Sequence, residues 1–117
     1  RTSRGRIYRS DSSDEGETWC IAYRTRMPNN NSGIDLVLAG NGKIYLVCNP
    51  VKKNWGGRSP LDLLVSEDGG ETFNLLVRLE DREGGEFSYP AITERGGVLH
   101  ITYTYDREYI AYRQIKI

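Results

Sequence analysis

One eight-residue pattern occurs twice in this chain, and it constrains the fold more than any other feature. SSDEGETW begins at Ser12, and SEDGGETF begins 54 residues later at Ser66. The two copies are identical at five positions, which carry Ser, Asp, Gly, Glu and Thr, and each ends on an aromatic residue. A period of about 50 residues is the length of one four-stranded antiparallel sheet with its turns, as in the blades of a β-propeller. The spacing therefore predicts successive, similar sheets.

Each copy has the composition of a turn that satisfies its own polar groups. The aspartate can accept backbone N–H groups, the glycine allows backbone angles that a side chain forbids, and the aromatic residue can begin the next strand and pack under the turn. The repeated positions are Ser12, Asp14, Gly16, Thr18 and Trp19, and then Ser66, Asp68, Gly70, Thr72 and Phe73. We expect a structural role. Binding of a ligand or Ca²⁺ by the carboxylates is the alternative, and we expect neither a metal nor a cofactor.

The rest of the chain alternates short β-forming runs with clusters of Gly, Asn, Asp and Pro, and no segment keeps an apolar period of 3.6 residues. AGNGK and ERGGV are typical of tight hairpin turns. We therefore predict an all-β, antiparallel protein. The expected strands are Arg6–Ser10, Thr18–Tyr23, Ile34–Ala39, Lys43–Asn49, Leu61–Ser66, Thr72–Leu79, Tyr89–Glu94, Val98–Tyr105 and Tyr109–Ile117.

Composition excludes several classes of partner. The 117 residues include 16 basic and 16 acidic side chains, so charge favours neither nucleic acid nor an anionic membrane as a partner. No apolar run approaches the roughly 20 residues that span a bilayer, and the first ten residues do not resemble a signal peptide. Cys20 and Cys48 both lie in apolar, strand-like segments, which favours two buried thiols over a disulfide.

The repeated pattern is identified as the Asp-box, S-x-D-x-G-x-T-W/F, which is typical of sialidases and their BNR-repeat relatives and recurs in other propellers. NPVKKNWGGRSPLDLLVSEDGGETF and EFSYPAITERGGVLHITYTYDREYIAY resemble the C-terminal half of a sialidase-type domain. MPNNNSGIDLVLAGNGKIYLVCNP resembles the P-N-x-N-S-G strand and hairpin of the same family. The resemblance covers essentially the whole chain. It implies a partial β-propeller of antiparallel four-stranded blades, with about two blades present.

The resemblance also divides the chain. Residues 1–117 form a single partial domain, in which 1–23 end one blade, 34–79 form a full blade and 87–117 form an incomplete last blade. Relatives have six blades, and isolated blades leave sheet faces and edges unprotected. The expected partners are therefore the remainder of a propeller or other copies of the chain, besides a glycan or a terminal acidic sugar.

Two residues match positions that carry chemistry in sialidases, which grip a sugar carboxylate with arginines and use a tyrosine nucleophile. Arg58 follows NPVKKNWGG and precedes the second box by eight residues, where the resemblance implies the third carboxylate-binding arginine. Tyr89, in FSYPAI, matches the nucleophile. The alternatives are a solvated loop arginine and a strand aromatic packed between blades. Pro90 departs from the family, in which serine is usual at that position.

Other candidates are less closely tied to the resemblance. Arg1 falls near the position of a second carboxylate-binding arginine, with Arg4 and Arg6 as competing fits. Asn31, in an amide-rich loop from Asn29 to Ser32, can bind sugar hydroxyls or simply make a turn. Trp55 can stack on a sugar or cover its loop. Arg107 can border a pocket with Tyr103 and Tyr105, whereas cross-strand packing is the other explanation of that tyrosine-rich run. His100 is expected to be a hydrogen-bonded strand residue.

We expect the C-terminal fragment of a sialidase-like glycoside hydrolase that acts on terminal sialic acid or a related acidic sugar by a retaining mechanism. No residue of the chain matches the aspartate acid/base or the glutamate that activates the tyrosine, and the resemblance implies that both lie upstream. The chain alone is therefore expected to be inactive. The alternative is a non-catalytic carbohydrate-binding or interaction propeller module, able to self-assemble.

Overall fold

The chain folds into nine β-strands in three antiparallel sheets, as described for residues 1–117 by a computed structural model. The strands are β1 (Arg6–Arg9), β2 (Tyr23–Pro28), β3 (Asp35–Leu38), β4 (Ile44–Cys48), β5 (Leu61–Ser66), β6 (Asn74–Glu80), β7 (Phe87–Arg95), β8 (Val98–Tyr105) and β9 (Tyr109–Lys116). The sheets are β1-β2, β3-β4-β5-β6 and β7-β8-β9. Each strand within a sheet pairs with its neighbour in sequence. No helix of the structure has the length and apolarity needed to cross a membrane.

This architecture is a partial β-propeller of about two blades, and it confirms the predicted all-β fold. The middle sheet is a complete four-stranded blade, with the second Asp-box in the turn between β5 and β6. The first Asp-box joins β1 to β2, so these two strands occupy the positions of β5 and β6 in their own blade. The last sheet holds three strands.

The main core lies between the middle and last sheets. Fully buried side chains meet there from both sides, because alternate residues of each strand point to the same face. They are Val47, Leu61 and Leu63 from the middle sheet, and Phe87, Leu99, Ile101 and Tyr103 from the last sheet. A smaller cluster of Leu46, Cys48 and Leu64 packs on the opposite face, against residues of β1 and β2. The middle sheet is therefore covered on both faces.

The two Asp-boxes have the same internal hydrogen bonds. In the second box, Ser66 Oγ donates to Asp68 Oδ1 at 2.7 Å and accepts from the Gly70 amide at 2.8 Å. Thr72 donates to Asp68 through its amide at 2.9 Å and its hydroxyl at 2.5 Å. Gly70 has a φ of 88°, which side chains rarely adopt.

The first box repeats this geometry within 0.1 Å in those four hydrogen bonds. Trp19 Nε1 also donates to the Gly16 carbonyl at 3.0 Å, which holds the largely exposed indole against its own turn, and Trp19 does not begin the next strand. Each box is a closed hydrogen-bonded unit, and its polar side chains serve the turn.

Two local predictions were wrong. The second strand lies at Tyr23–Pro28 instead of Thr18–Tyr23, because Thr18 remains bound to Asp14 within the box and the chain starts to pair with β1 only at Tyr23. As a consequence Cys20 lies outside any strand and is exposed, whereas Cys48 is buried in β4. Both cysteines are free. Burial raises the pKa of the Cys48 thiol to about 12.

The tyrosine-rich run of β8 is mainly a packing element. Tyr103 is fully buried, and its hydroxyl donates to the Glu80 carboxylate, which also accepts from Arg113 Nη2 at 2.9 Å. Desolvation, together with the Glu80 carboxylate, raises the pKa of Tyr103 to about 12. Tyr105 packs edge-on against Phe87, with ring centroids 4.9 Å apart. Neither tyrosine borders the pocket described below.

Candidate functional site

A polar pocket of about 380 Å³ lies where three loops meet. The loops are 29–33 before β3, 50–60 between β4 and β5, and 81–86 before β7, and the turn between β8 and β9 adds one further residue. The lining residues are Asn30, Asn31, Ser32, Trp55, Gly56, Gly57, Arg58, Gly84, Gly85, Glu86 and Arg107. Trp55 is the one apolar side chain among them, so the pocket suits a polar ligand.

Arg58 and Tyr89 are in contact beside this pocket. The Arg58 guanidinium carbon lies 5.0 Å from the centroid of the Tyr89 ring, within the range of a cation–π interaction. The Arg58 side chain is only 16% exposed, whereas Tyr89 is 58% exposed. The Arg58 side chain is therefore largely buried, and the Tyr89 ring that it contacts remains accessible to solvent.

The charge of Arg58 alters the acidity of that phenol. The Arg58 guanidinium beside the Tyr89 ring favours the ionised phenol and so lowers the pKa of Tyr89. Burial opposes the effect, and the charges of Arg107 and Arg1 add to it. The charges that favour ionisation of Tyr89 therefore come from arginines.

Backbone strain is concentrated around the pocket. Six non-glycine residues have a positive φ, and four of them are candidate site residues: Asn31 at 69°, Trp55 at 57°, Tyr89 at 52° and Arg107 at 58°. Tyr89 owes its conformation to a β-bulge, since pairing with β8 is interrupted between Ser88 and Ala91. Strained backbone of this kind costs about 1–3 kcal/mol per residue and clusters at functional sites. Most of the non-glycine residues with a positive φ therefore lie at or beside this pocket.

A buried amide network fixes the loops that carry these residues. Asn49 is fully buried, and its Nδ2 lies within hydrogen-bond distance of the carbonyls of Arg58 at 2.9 Å, Pro60 at 2.9 Å and Phe87 at 3.1 Å. Its Oδ1 lies 2.9 Å from Ser32 Oγ. One side chain thus joins the segments that present Asn31, Arg58 and Tyr89.

In the loop from Asn29 to Ser32, some side chains hold the backbone in place and Asn31 faces the pocket. Asn30 Nδ2 donates to the carbonyls of Gly56 and Gly57 at 3.0 and 2.7 Å, and Ser32 Oγ donates to Asn30 Oδ1 at 2.5 Å. Gly56 is required at its position, because a Cβ there would lie 2.7 Å from the Lys53 carbonyl oxygen. Asn31 keeps its side chain free of these bonds and lines the pocket.

Glu86 brings a negative charge into the pocket beside two arginines. Its Oε1 lies 2.6 Å from Arg107 Nε and 3.6 Å from Arg58 Nη1. Arg58 Nη1 is buried and has no hydrogen-bond partner. The pocket therefore contains a guanidinium nitrogen whose hydrogen-bonding capacity is not used.

The structure brings the candidate residues of the sequence together. Arg58, Asn31, Trp55 and Arg107 all line the pocket, and Tyr89 contacts Arg58. Arg1 is close enough for its charge to act on Tyr89. The competing Arg4 packs over Tyr8, and Arg6 donates to the Arg26 carbonyl. His100 lies outside the pocket, with Nδ1 2.6 Å from the Tyr112 hydroxyl, as expected for a strand histidine.

The sequence did not single out Glu86 and Asn49. Glu86 ends the mixed-charge run Glu80–Glu86, whose composition is typical of a solvated connection between strands. In the structure Glu80 binds Tyr103, Glu86 lines the pocket and Arg82 packs near the rings of Phe87 and Tyr105. No sequence signal separates these three roles. No group of three or more His, Cys, Asp or Glu side chains is arranged to hold a metal ion.

The fold is thus a partial β-propeller with Asp-box turns, and its polar pocket brings Arg58 next to Tyr89. Residues 1–101 match the family model of the BNR repeat-like domain. The chain belongs to this family. A search of curated proteins found no match.

Proposed function

We propose that this chain provides the acid-sugar-binding part of a sialidase-like glycoside hydrolase, with terminal sialic acid or a related acidic sugar as its ligand. The contact between Arg58 and Tyr89 at the edge of a polar pocket is the observation that supports this most directly. It pairs a donor suited to a carboxylate with a phenol suited to attack on an anomeric carbon.

The carboxylate of the sugar is proposed to bind Arg58, since a guanidinium offers two parallel N–H donors that match a carboxylate. Arg58 lies in the loop that Asn49 holds, so its direction is set before a ligand arrives. Arg107 faces the same pocket, and Arg1 adds positive charge near Tyr89. These features favour an anionic sugar over a neutral one.

Tyr89 is proposed as the nucleophile of a retaining reaction. Its oxygen would form a bond to the anomeric carbon while the bond to the leaving oxygen breaks, and water would later release the sugar with its original configuration. A neutral phenol approaches an anionic sugar with less repulsion than a carboxylate does, and the lowered pKa of Tyr89 favours loss of the phenol proton as the oxygen attacks. The base that takes the phenol proton and the acid that protonates the leaving group match no residue of this chain.

Asn31 and Trp55 are proposed to contact the uncharged parts of the sugar. The Asn31 amide can both donate and accept hydrogen bonds, which suits hydroxyl and N-acetyl groups. Trp55 is 75% exposed and presents a ring to the pocket, as needed for stacking on the apolar face of a sugar.

A second candidate is a carbohydrate-binding or interaction module that has no hydrolytic activity. Two observations favour it: the charged groups that lower the pKa of Tyr89 are arginines, and Pro90 follows Tyr89 in place of the serine expected from the resemblance. Such a module would use the same pocket for binding and would not need the Tyr89 hydroxyl.

The test combines binding and turnover. Isothermal titration calorimetry should detect binding of N-acetylneuraminic acid to the chain. The Arg58→Gln variant should bind it about 30-fold more weakly, because a charge-assisted pair is worth about 2 kcal/mol. Hydrolysis of a fluorogenic sialoside by the longest natural form should be lost in Tyr89→Phe, with binding unchanged. Tyr112→Phe, which removes an exposed hydroxyl on β9, is the matched control.

The outcomes separate the two candidates. Retained hydrolysis in Tyr89→Phe would exclude Tyr89 as nucleophile. Binding without any hydrolysis by the natural form would favour the non-catalytic module. If neither N-acetylneuraminic acid nor glucuronic acid binds, the acid-sugar assignment is wrong.

A further inference from the structure

We infer that Glu86 occupies the position of the ligand carboxylate between Arg58 and Arg107, and that it sets the affinity of the pocket by competing for these two arginines. The inference deepens the proposed function, because it rests on a carboxylate-bearing ligand in this pocket. It assigns Arg107 as the second arm of the carboxylate site and Glu86 as the residue that a ligand must displace.

The backbone keeps Glu86 next to Arg58. The two residues form a parallel β-bridge, and the Phe87 amide donates to the Arg58 carbonyl at 3.1 Å. The Glu86 amide donates to Asp106 Oδ1 at 2.9 Å, which ties the same point to the turn that carries Arg107. The backbone positions of the three residues are thus held relative to one another, and only the Glu86 side chain needs to move.

Glu86 satisfies this arginine pair incompletely. Its Oε1 binds Arg107 Nε at 2.6 Å but lies 3.6 Å from Arg58 Nη1, beyond hydrogen-bond distance. That nitrogen is buried without a partner, a state that is costly for a charged donor. A carboxylate that is free to move can approach both arginines, whereas Glu86 is restrained by its backbone.

Exchange is also sterically possible. The Glu86 side chain is 32% exposed and lines the open pocket, so it can rotate into solvent when a ligand enters. The displaced carboxylate is then hydrated, and the ligand carboxylate takes its place. A neutral sugar has no group for this position and leaves the Glu86 ion pair intact.

Two experiments test the inference. In the first, thermal unfolding is measured with 100 mM sodium acetate against 100 mM sodium chloride. Acetate should raise the melting temperature of Glu86→Ala, whose vacated site accepts the free carboxylate, and should leave the wild type unchanged. In the second, the dissociation constant for N-acetylneuraminic acid is measured, and Glu86→Gln and Glu86→Ala should bind about tenfold more tightly than the wild type.

Glu108→Gln is the matched control. Glu108 is an exposed carboxylate in the same β8–β9 turn as Arg107, but it does not line the pocket. This variant removes the same charge as Glu86→Gln but at a position outside the pocket, so the affinity for N-acetylneuraminic acid should change less than twofold. N-acetylmannosamine, which lacks a carboxylate, should bind the wild type and the Glu86 variants equally or not at all.

The results distinguish this inference from the proposed function. If acetate stabilises Glu86→Ala but no form binds N-acetylneuraminic acid, Glu86 does occupy a carboxylate site and the acid-sugar function fails. If acetate has no specific effect on Glu86→Ala, the inference is overturned. It is equally overturned if the Glu86 variants bind N-acetylneuraminic acid no more tightly than Glu108→Gln.

Discussion

At the scale of single residues, the two Asp-box aspartates show how a polar side chain serves the fold. Hydrogen bonds from the Thr18 hydroxyl and amide and from Ser12 lower the pKa of Asp14 to about 2. The equivalent bonds from Thr72 and Ser66 lower the pKa of Asp68 further. Both aspartates thus accept hydrogen bonds from the serine and threonine of their own box, which is the geometry expected of a side chain that stabilises a turn.

The first prediction concerns acid stability. The pKa of Asp14 in the folded chain, about 2, is below the value of about 3.9 for an unfolded aspartate, so its contribution is complete above pH ~4 and is lost as the pH falls towards 2. Asp68 acts in the same direction. We expect Asp14→Asn and Asp68→Asn to lower the melting temperature at pH 6 and to flatten its decline between pH 4 and pH 2.

Thermal unfolding followed by circular dichroism between pH 2 and pH 6 measures this effect. Asp81→Asn is the control, since Asp81 is an exposed aspartate in the loop after β6. A decline as steep in the box variants as in the wild type would contradict the prediction.

At the scale of elements, the middle sheet packs against both the first and the last sheet. Its β5 has five of six residues buried, because one face meets the last sheet and the other meets the smaller cluster under β1 and β2. Strand β3 differs, since Asp35 and Val37 point inward while Leu36 and Leu38 are exposed. Substitutions of the same chemical type should therefore have very different effects in the two strands.

The second prediction compares two leucines of the middle sheet. Leu63→Ala, in β5, removes a fully buried side chain and should lower the free energy of unfolding by about 3 kcal/mol, because the cavity cannot close. Leu36→Ala, in β3, removes a side chain that is 53% exposed and should cost less than about 1 kcal/mol. Urea unfolding measures both. Equal losses would mean that the two faces of the sheet are covered to a similar extent.

At the scale of the whole molecule, the strand count bears on self-association. The three sheets contain two, four and three strands, so pairing the first sheet of one copy with the last sheet of another would give five strands, one more than the complete blade. We therefore expect that a ring of copies would leave one strand in excess of whole four-stranded blades.

The third prediction is that the chain does not form an oligomer of defined size. Light scattering across a range of concentrations should extrapolate at low concentration to the monomer mass of 13.3 kDa. The exposed Leu36 and Leu38 can cause association at high concentration, and this should occur without a fixed stoichiometry. A stable species of one discrete higher mass would support the self-assembling alternative.

Much of the fold could be predicted because its signals are local. The Asp-box is closed by hydrogen bonds between residues two to four positions apart, so its sequence almost specifies its geometry. The strands follow from alternation and from turn residues. The prediction failed at β2, where Thr18 has the β-branched side chain of a strand residue but its bonds to Asp14 hold it in the turn. A local polar contact there outweighed strand propensity.

Residue order alone predicts an all-β chain of repeated blades and, through resemblance, singles out Arg58 and Tyr89. The contact of Glu86 with Arg107 and the three loops joined by Asn49 emerge from the folded chain, since these contacts connect residues 21 positions apart in the first case and as many as 38 in the second. The difference lies in the distance along the chain over which each interaction acts. Hydrogen bonding within a turn and the alternation of a strand are properties of adjacent residues, whereas a pocket arises where distant loops meet, and its charges have no periodic pattern in the sequence.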